Sequence, residues 1–256
     1  MKKCIICGID NDAKSIEHIV SESLGNTHYI MERSTVCDNC NARFAKFEGK
    51  ALSQSILLME RARLGIRSKK GKNAKGDIGG LNIRGDDSFE KNRISIKSEI
   101  DFIRNFDPKS KTAEITIPSF GNSSIPTSKL LLKMGIESLY KSRRDIYDKY
   151  NFQEAKDYLL AKSNIDWPIV TSEYELVKFN HIPRFNDKYR FGLLECSLMY
   201  CELDGQSLLF KFKYGGIPLE INLLNRNLDW ISGVLDIDIL AVLYPEHYRR
   251  DKKRNL

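Results

Sequence analysis

The chain has no apolar run near the ~18 residues that a membrane-spanning helix needs, and stretches such as 56–59 and 130–132 are far shorter. Met1-Lys2-Lys3 leads into Cys4 and not into the apolar core of a signal peptide, so a cytoplasmic location is expected. Only 16 Gly and 7 Pro occur, without a period, which excludes a collagen-like or low-complexity chain. Residues 77–256 show neither internal repeats nor a glycine-rich phosphate loop. With 41% hydrophobic and 29% charged residues, wholesale disorder is excluded too. A chain of 256 residues buries roughly 70–75% of its unfolded surface and supports one large core or two smaller ones.

What is present is unevenly placed. Residues 1–76 hold 14 Lys/Arg against 8 Asp/Glu, whereas residues 77–256 hold 27 against 26. A basic surface concentrated in one small segment favours polyphosphate partners such as nucleic acid, although charge alone fits a solvated basic face equally well.

Six cysteines fall as two CxxC pairs, Cys4/Cys7 and Cys37/Cys40, with Cys196 and Cys201 far downstream. Paired knuckles in a chain without a signal peptide point to a structural Zn²⁺ held by four thiolates. The 29-residue spacer exceeds the usual ~15–20, so something is inserted. A thioredoxin-like redox pair is disfavoured because that motif opens a helix after a strand and occurs once, and disulfides are disfavoured by the compartment. Cys196 and Cys201 lie in the apolar run LLECSLMYCEL and read as small buried hydrophobes.

The spacing of Phe44, Phe47, Ala51 and Leu58 predicts a helix over 41–66, with Arg43, Lys46, Lys50 and Arg61 on its outer face and Gly65 near its end. The segment 67–80 carries five Lys/Arg in its first nine positions and no apolar period, and reads as a basic linker or a long hairpin loop. Beyond it, 81–84, 93–97 and 113–117 alternate like half-buried strands, closed by Pro118 and Gly121. A helix is expected over 127–140, capped by Thr127 or Ser128, and another over 152–161. Three strands follow, over 189–202, 207–214 and 217–223, separated by Asp204-Gly205 and Gly215-Gly216. The expected fold is α+β: a zinc-bearing module over 1–66, a linker over 67–80, and a domain over 81–256 with an antiparallel sheet and two helices.

Between the knuckles sits SIEHIVSESLGN, and Asn41 follows Cys40 directly. The succession CxxC, EHI, SLG, VCDNCNARF resembles the HNH, or ββα-metal, endonucleases, in particular their zinc-stabilised subset. The resemblance covers about residues 1–60. It implies a hairpin carrying Glu17-His18 at a strand end and a helix bringing Asn41 opposite. By position it implies Glu17 and Asn41 as ligands of a catalytic Mg²⁺ or Mn²⁺ and His18 as general base. The chain departs from the family pattern at Ser21, where many relatives have Pro, at Glu32, where many have Asn, and in lacking the last His, with Phe44 and Phe47 nearby.

The residue chemistry agrees. Phosphodiester hydrolysis needs a water deprotonated near neutral pH, and imidazole, with an ordinary pKa near ~6.5, suits that task at His18. Hard oxygen donors from Glu and Asn suit Mg²⁺ or Mn²⁺. Adjacent strand residues point to opposite faces, so Glu17 and His18 share one ligand only where the strand ends or bends. Lys14, Arg33, Arg43, Lys46 and Lys50 are candidate phosphate contacts; His28 reads as an exposed loop residue. Trp167 and Trp230 read as core, and His181, His247 and the basic tail as structural or solvated.

The function expected is a DNA endonuclease, of restriction, defence or mobile-element type by the resemblance alone. Its substrate would be double-stranded DNA, and double-strand breaks would call for a homodimer. Two alternatives stay open: a non-catalytic zinc-bearing nucleic-acid-binding protein, and a nuclease gated by a small molecule or protein bound to the C-terminal domain.

Overall fold

The computed structural model describes residues 2–68, 70–78, 80–98, 103–115, 120, 123–161, 165–172, 177–182, 196–203, 205–232 and 241–244. The chain opens with a two-stranded ribbon, β1 (Lys2–Lys3) and β2 (Asp10–Asn11), whose loop bears the first knuckle. Helix α1 (Asp38–Leu52) starts at the second knuckle, where the Cys37 sulfur caps it by accepting from the Cys40 N–H at 3.4 Å, and Asp38 in the first turn complements the helix dipole. Phe44, Phe47 and Ala51 face inward from it, and α2 (Ser55–Arg63) follows.

A three-stranded antiparallel meander, β3 (Lys75–Ile78), β4 (Leu81–Gly85) and β5 (Ile94–Ser98), packs on Leu58 and Ala62 of α2. A short hairpin of β6 (Ile103–Asp107) and β7 (Thr112–Ile115) precedes the central helix α3 (Ile125–Ser142). Residues 127–139 of α3 are buried without a break, the signature of a core helix rather than a surface one. Helices α4 (Arg144–Lys149) and α5 (Gln153–Leu160) follow. The large sheet comprises β8 (Ile169–Ser172), β9 (Asn180–His181), β10 (Cys196–Glu202), β11 (Leu208–Tyr214), β12 (Ile217–Asn222) and β13 (Ala241–Tyr244), in the order β13-β8-β12-β11-β10-β9, every pairing antiparallel.

One face of this sheet, through Phe210, Phe212 and Tyr214, joins the main apolar cluster; the other, through Met199, Cys201 and Leu209, packs on Trp230 and Ile231 of α6 (Asp229–Ser232). Gly135 makes the close approach of α3 to the sheet: a Cβ there would lie 2.6 Å from Leu223 Cδ2 and 3.0 Å from Phe210 Cγ. The main cluster runs from Cys4, Ile19 and Phe44 through α3 to Phe210 and Leu223, so one core spans the chain on either side of residues 67–80.

The mixed α+β architecture with antiparallel sheets agrees with the sequence reading, and Trp167 and Trp230 are buried in the core. Several details differ. The helix expected over 41–66 is two helices parted at Ser53-Gln54, where the Ser53 hydroxyl donates to the Gly49 carbonyl at 2.6 Å; Leu57 of α2 joins the cluster of Phe44, whereas Leu58 packs on the meander. Arg61, expected outside, is buried, with Nε donating to the Ser23 carbonyl at 2.7 Å and Nη1 to that of Leu52 at 3.1 Å. Residues 75–78 within the basic stretch form a strand. Helix α3 begins earlier than expected: Ser124 is its N-cap, Thr127 bonds Gln54, and Ser128 bonds the Trp167 carbonyl at 2.6 Å. Helix α4 was not expected. Pro118, Gly121, residues 189–195, Asp204, His247 and the tail 249–256 lie outside the described residues.

Candidate active site

The two knuckles bring Cys4, Cys7, Cys37 and Cys40 together, with all four sulfurs within 4.8 Å of one another. The Cys4–Cys40 and Cys7–Cys37 separations are 3.9 and 3.7 Å, and a tetrahedron with ~2.3 Å bonds has edges of ~3.8 Å. Backbone N–H groups already point at two of the sulfurs, Cys37 to Cys4 and Cys40 to Cys37, both at 3.4 Å. The hydrogen bond from Cys40 pulls the Cys4 thiol down to about 4, while the same bond and burial drive Cys40 far up. Burial also raises Cys7. Four convergent sulfurs, three of them buried and Cys7 half-buried, fit a Zn²⁺, which would bind all four as thiolates. Among the described residues this is the only group of three or more His, Cys, Asp or Glu side chains placed to hold a metal ion together. Cys196 and Cys201 stand apart on β10, and burial pushes both thiols up, as inert packing cysteines require.

The inserted segment forms a small hairpin. His18 bridges Ile30, Ile19 N–H donates to Tyr29 at 3.1 Å, and Met31 N–H donates to Glu17 at 2.8 Å. Its loop makes a 3₁₀ turn over Glu22–Leu24, capped by Ser21 and closed by Gly25 at φ 92°. Asn26 then holds the loop ends, with four hydrogen bonds from one buried side chain. Asp38 fixes the approach to the hairpin by accepting from the Ser15 N–H at 2.9 Å and the Lys14 N–H at 3.2 Å.

Strand alternation decides the two central side chains. The Glu17 carboxylate turns inward and is paired with the ammonium of Lys133 on α3. The His18 imidazole stays partly exposed, its Nε2 3.5 Å from Oε1 of Glu22. Asn41 lies in the first turn of α1, half-buried, with its N–H on the Cys37 carbonyl at 3.0 Å. Lys133 also binds Oε1 of Glu48 at 2.6 Å, and Glu137 stands 3.7 Å away. Burial works against charge on Lys133, but the Glu48, Glu17 and Glu137 carboxylates overcome it and hold the ammonium firmly protonated. Burial pushes the Glu17 carboxyl up against the pull of Lys133, and drives that of Glu137 higher still.

Residues 4–57 match the family described as HNH endonuclease. At family level an HNH segment means a nuclease with a nucleic-acid substrate and a divalent metal, and here it is the segment that carries both knuckles, the hairpin and α1. No curated protein and no solved structure matches the chain.

Within the matched segment, Lys14, Arg33, Arg43, Lys46 and Lys50 are all exposed; Arg43 reaches the Leu160 carbonyl at 2.8 Å. His28 and His181 are exposed as well. Glu17 and Asn41 offer a carboxylate and an amide oxygen, the donor types a catalytic cation would need, but the Glu17 carboxylate is buried in an ion pair with Lys133. Sequence reasoning missed Glu22, Asn26, Glu48 and Lys133. None of the four carried a readable signal, since i,i+4 spacing implies contact only on a helix and each looks like an ordinary loop or helix-surface residue.

Proposed function

We propose that the chain is a metal-dependent endonuclease that hydrolyses DNA phosphodiester bonds. The observation that carries this reading is His18, partly exposed on the hairpin of the HNH-matching segment, beside Glu17 and with Asn41 at the head of α1. In this reading the His18 imidazole accepts the proton of the attacking water. Glu17 and Asn41 would hold Mg²⁺ or Mn²⁺, which when bound supplies charge neutralisation at the scissile phosphate. Lys14, Arg33, Arg43, Lys46 and Lys50 would contact backbone phosphates and give salt-sensitive affinity that is indifferent to sequence. The cluster of Cys4, Cys7, Cys37 and Cys40 would hold Zn²⁺ as a structural ion, and residues 81–256 would supply specificity or regulation. The restriction, defence or mobile-element setting rests on the family resemblance. One site nicks one strand, so double-strand breaks would require a dimer.

The test is incubation of purified protein with supercoiled plasmid and Mg²⁺ or Mn²⁺, against EDTA and against His18→Ala. Metal-dependent nicking that the variant loses, with zinc content and DNA binding kept, is the expected result. Zinc-loaded wild-type protein that leaves the plasmid intact overturns the reading and favours a non-catalytic nucleic-acid-binding protein or a gated nuclease, and a His18→Ala variant that cuts equally well overturns the role of His18.

A further inference from the structure

A lysine ammonium has three N–H donors, and Lys133 spends all of them inside the HNH-matching segment. One goes to Oε1 of Glu17, one to Oε1 of Glu48 at 2.6 Å, and one to the backbone carbonyl of His18 at 2.5 Å. Lys133 belongs to α3, outside residues 4–57, and its side chain is fully buried. A charge removed from water persists only where geometry and hydrogen bonds replace the lost hydration, and here the replacement comes from the hairpin and α1 together. Lys129, one turn earlier on the same helix, is also buried, but it bonds the Ala161 carbonyl at 2.6 Å and reaches nothing in the HNH segment. Burial of a lysine in α3 therefore does not by itself aim it at the site.

We infer that Lys133 is a positioning residue of the nuclease site. It ties the Glu17–His18 strand to α1 through Glu48 and fixes the His18 peptide, so that a helix of the C-terminal half sets where the imidazole stands. The inference rests on the nuclease reading for its consequence in catalysis, but the positioning itself is a property of the folded chain. Without the ammonium, Glu17, Glu48 and Glu137 face one another with no cation between them, and the strand that carries His18 loses its anchor. Displacement of a reacting group by about 1 Å costs on the order of 100-fold in rate.

The experiment uses the full chain with Lys133→Met, the double variant Lys133→Met/Glu137→Gln, which removes a buried carboxylate along with the ammonium, and Lys129→Met as the control. Four properties are measured: kcat and KM for plasmid nicking with Mn²⁺, DNA affinity in EDTA, zinc content, and the imidazole spectrum of ¹⁵N-histidine-labelled protein at one pH in EDTA. The His18 signals are identified by their loss in His18→Ala. Both Lys133 variants are expected to lose about 100-fold in kcat, with KM, DNA affinity and zinc content kept, and to shift the His18 signals while those of His28, His181 and His247 stay. Lys129→Met keeps wild-type kcat and spectrum. Wild-type kcat with unmoved His18 signals in a folded Lys133 variant overturns the inference, as does an equal His18 shift in Lys129→Met. Should Lys133→Met not fold, the double variant decides. Should the wild type not cleave DNA, the nuclease reading falls, and the His18 signals alone decide whether Lys133 positions that residue.

Discussion

The side-chain amide of Asn26 donates to the carbonyl of Val20 at 2.5 Å across the loop that follows His18. The same amide group donates to the Tyr29 carbonyl at 3.1 Å and accepts from the Tyr29 and His28 N–H groups at 2.9 and 3.1 Å. Every donor and acceptor of a fully buried side chain is thus used to hold the hairpin ends in register. Asn26→Ala leaves these backbone groups without partners and is expected to destabilise the fold by about 2–4 kcal/mol. Urea unfolding of the purified variant measures this, and a loss below about 1 kcal/mol would show that the hairpin does not depend on the clamp.

The sulfur tetrahedron leads to a second expectation. Cys40→Ser should abolish zinc binding and lower the melting temperature sharply, because Cys40 sits in the first turn of α1 and the site ties that helix to the β1–β2 loop. Cys196→Ser should leave the zinc content at about one per chain. Metal analysis of both variants distinguishes them; zinc retained by Cys40→Ser would place the metal elsewhere.

Tyr29 joins the hairpin to the end of α3 through a 2.7 Å hydrogen bond with Ser142. Burial pushes its phenol up to about 12, against an ordinary value near ~10. The folded chain keeps a proton that the unfolded chain releases first, so this contribution is complete below about pH 10 and is lost as the pH rises towards 12. A difference of about 2 in pKa corresponds to at most ~2.7 kcal/mol. Between about pH 9 and pH 11.5 the urea midpoint of wild type should fall relative to that of Tyr29→Phe; a difference between them that stays constant with pH would contradict the assignment.

Much of the candidate site was legible in the sequence. The hairpin-helix arrangement of Glu17, His18 and Asn41 was what the resemblance to the HNH endonucleases implied, whereas the knuckle spacing announced the metal cluster, because ligand spacing is set by bond geometry over a few residues. The inward faces of α1 and the alternation of β4 and β5 were readable for the same reason. The break at Ser53-Gln54 was not, since where α2 packs, with Leu57 in the cluster of Phe44 and Leu58 on the meander, is decided by tertiary contacts.

Lys129, Lys133 and Glu137 recur along α3 at four-residue steps, the pattern of a solvated stripe carrying an ordinary i,i+4 ion pair. The fold turns that stripe inward. Periodicity tells which residues share a face, but whether the face meets water depends on what packs against it, and here the partners of Lys133, Glu17, Glu48 and the His18 carbonyl, lie 85 or more positions away. The residue types and spacings of the zinc and Glu17-His18 motifs were local properties of the chain. That the core is continuous, and that a lysine of the C-terminal half is buried behind His18, follows only from long-range packing, where desolvating a charge is tolerated because three acceptors converge on it.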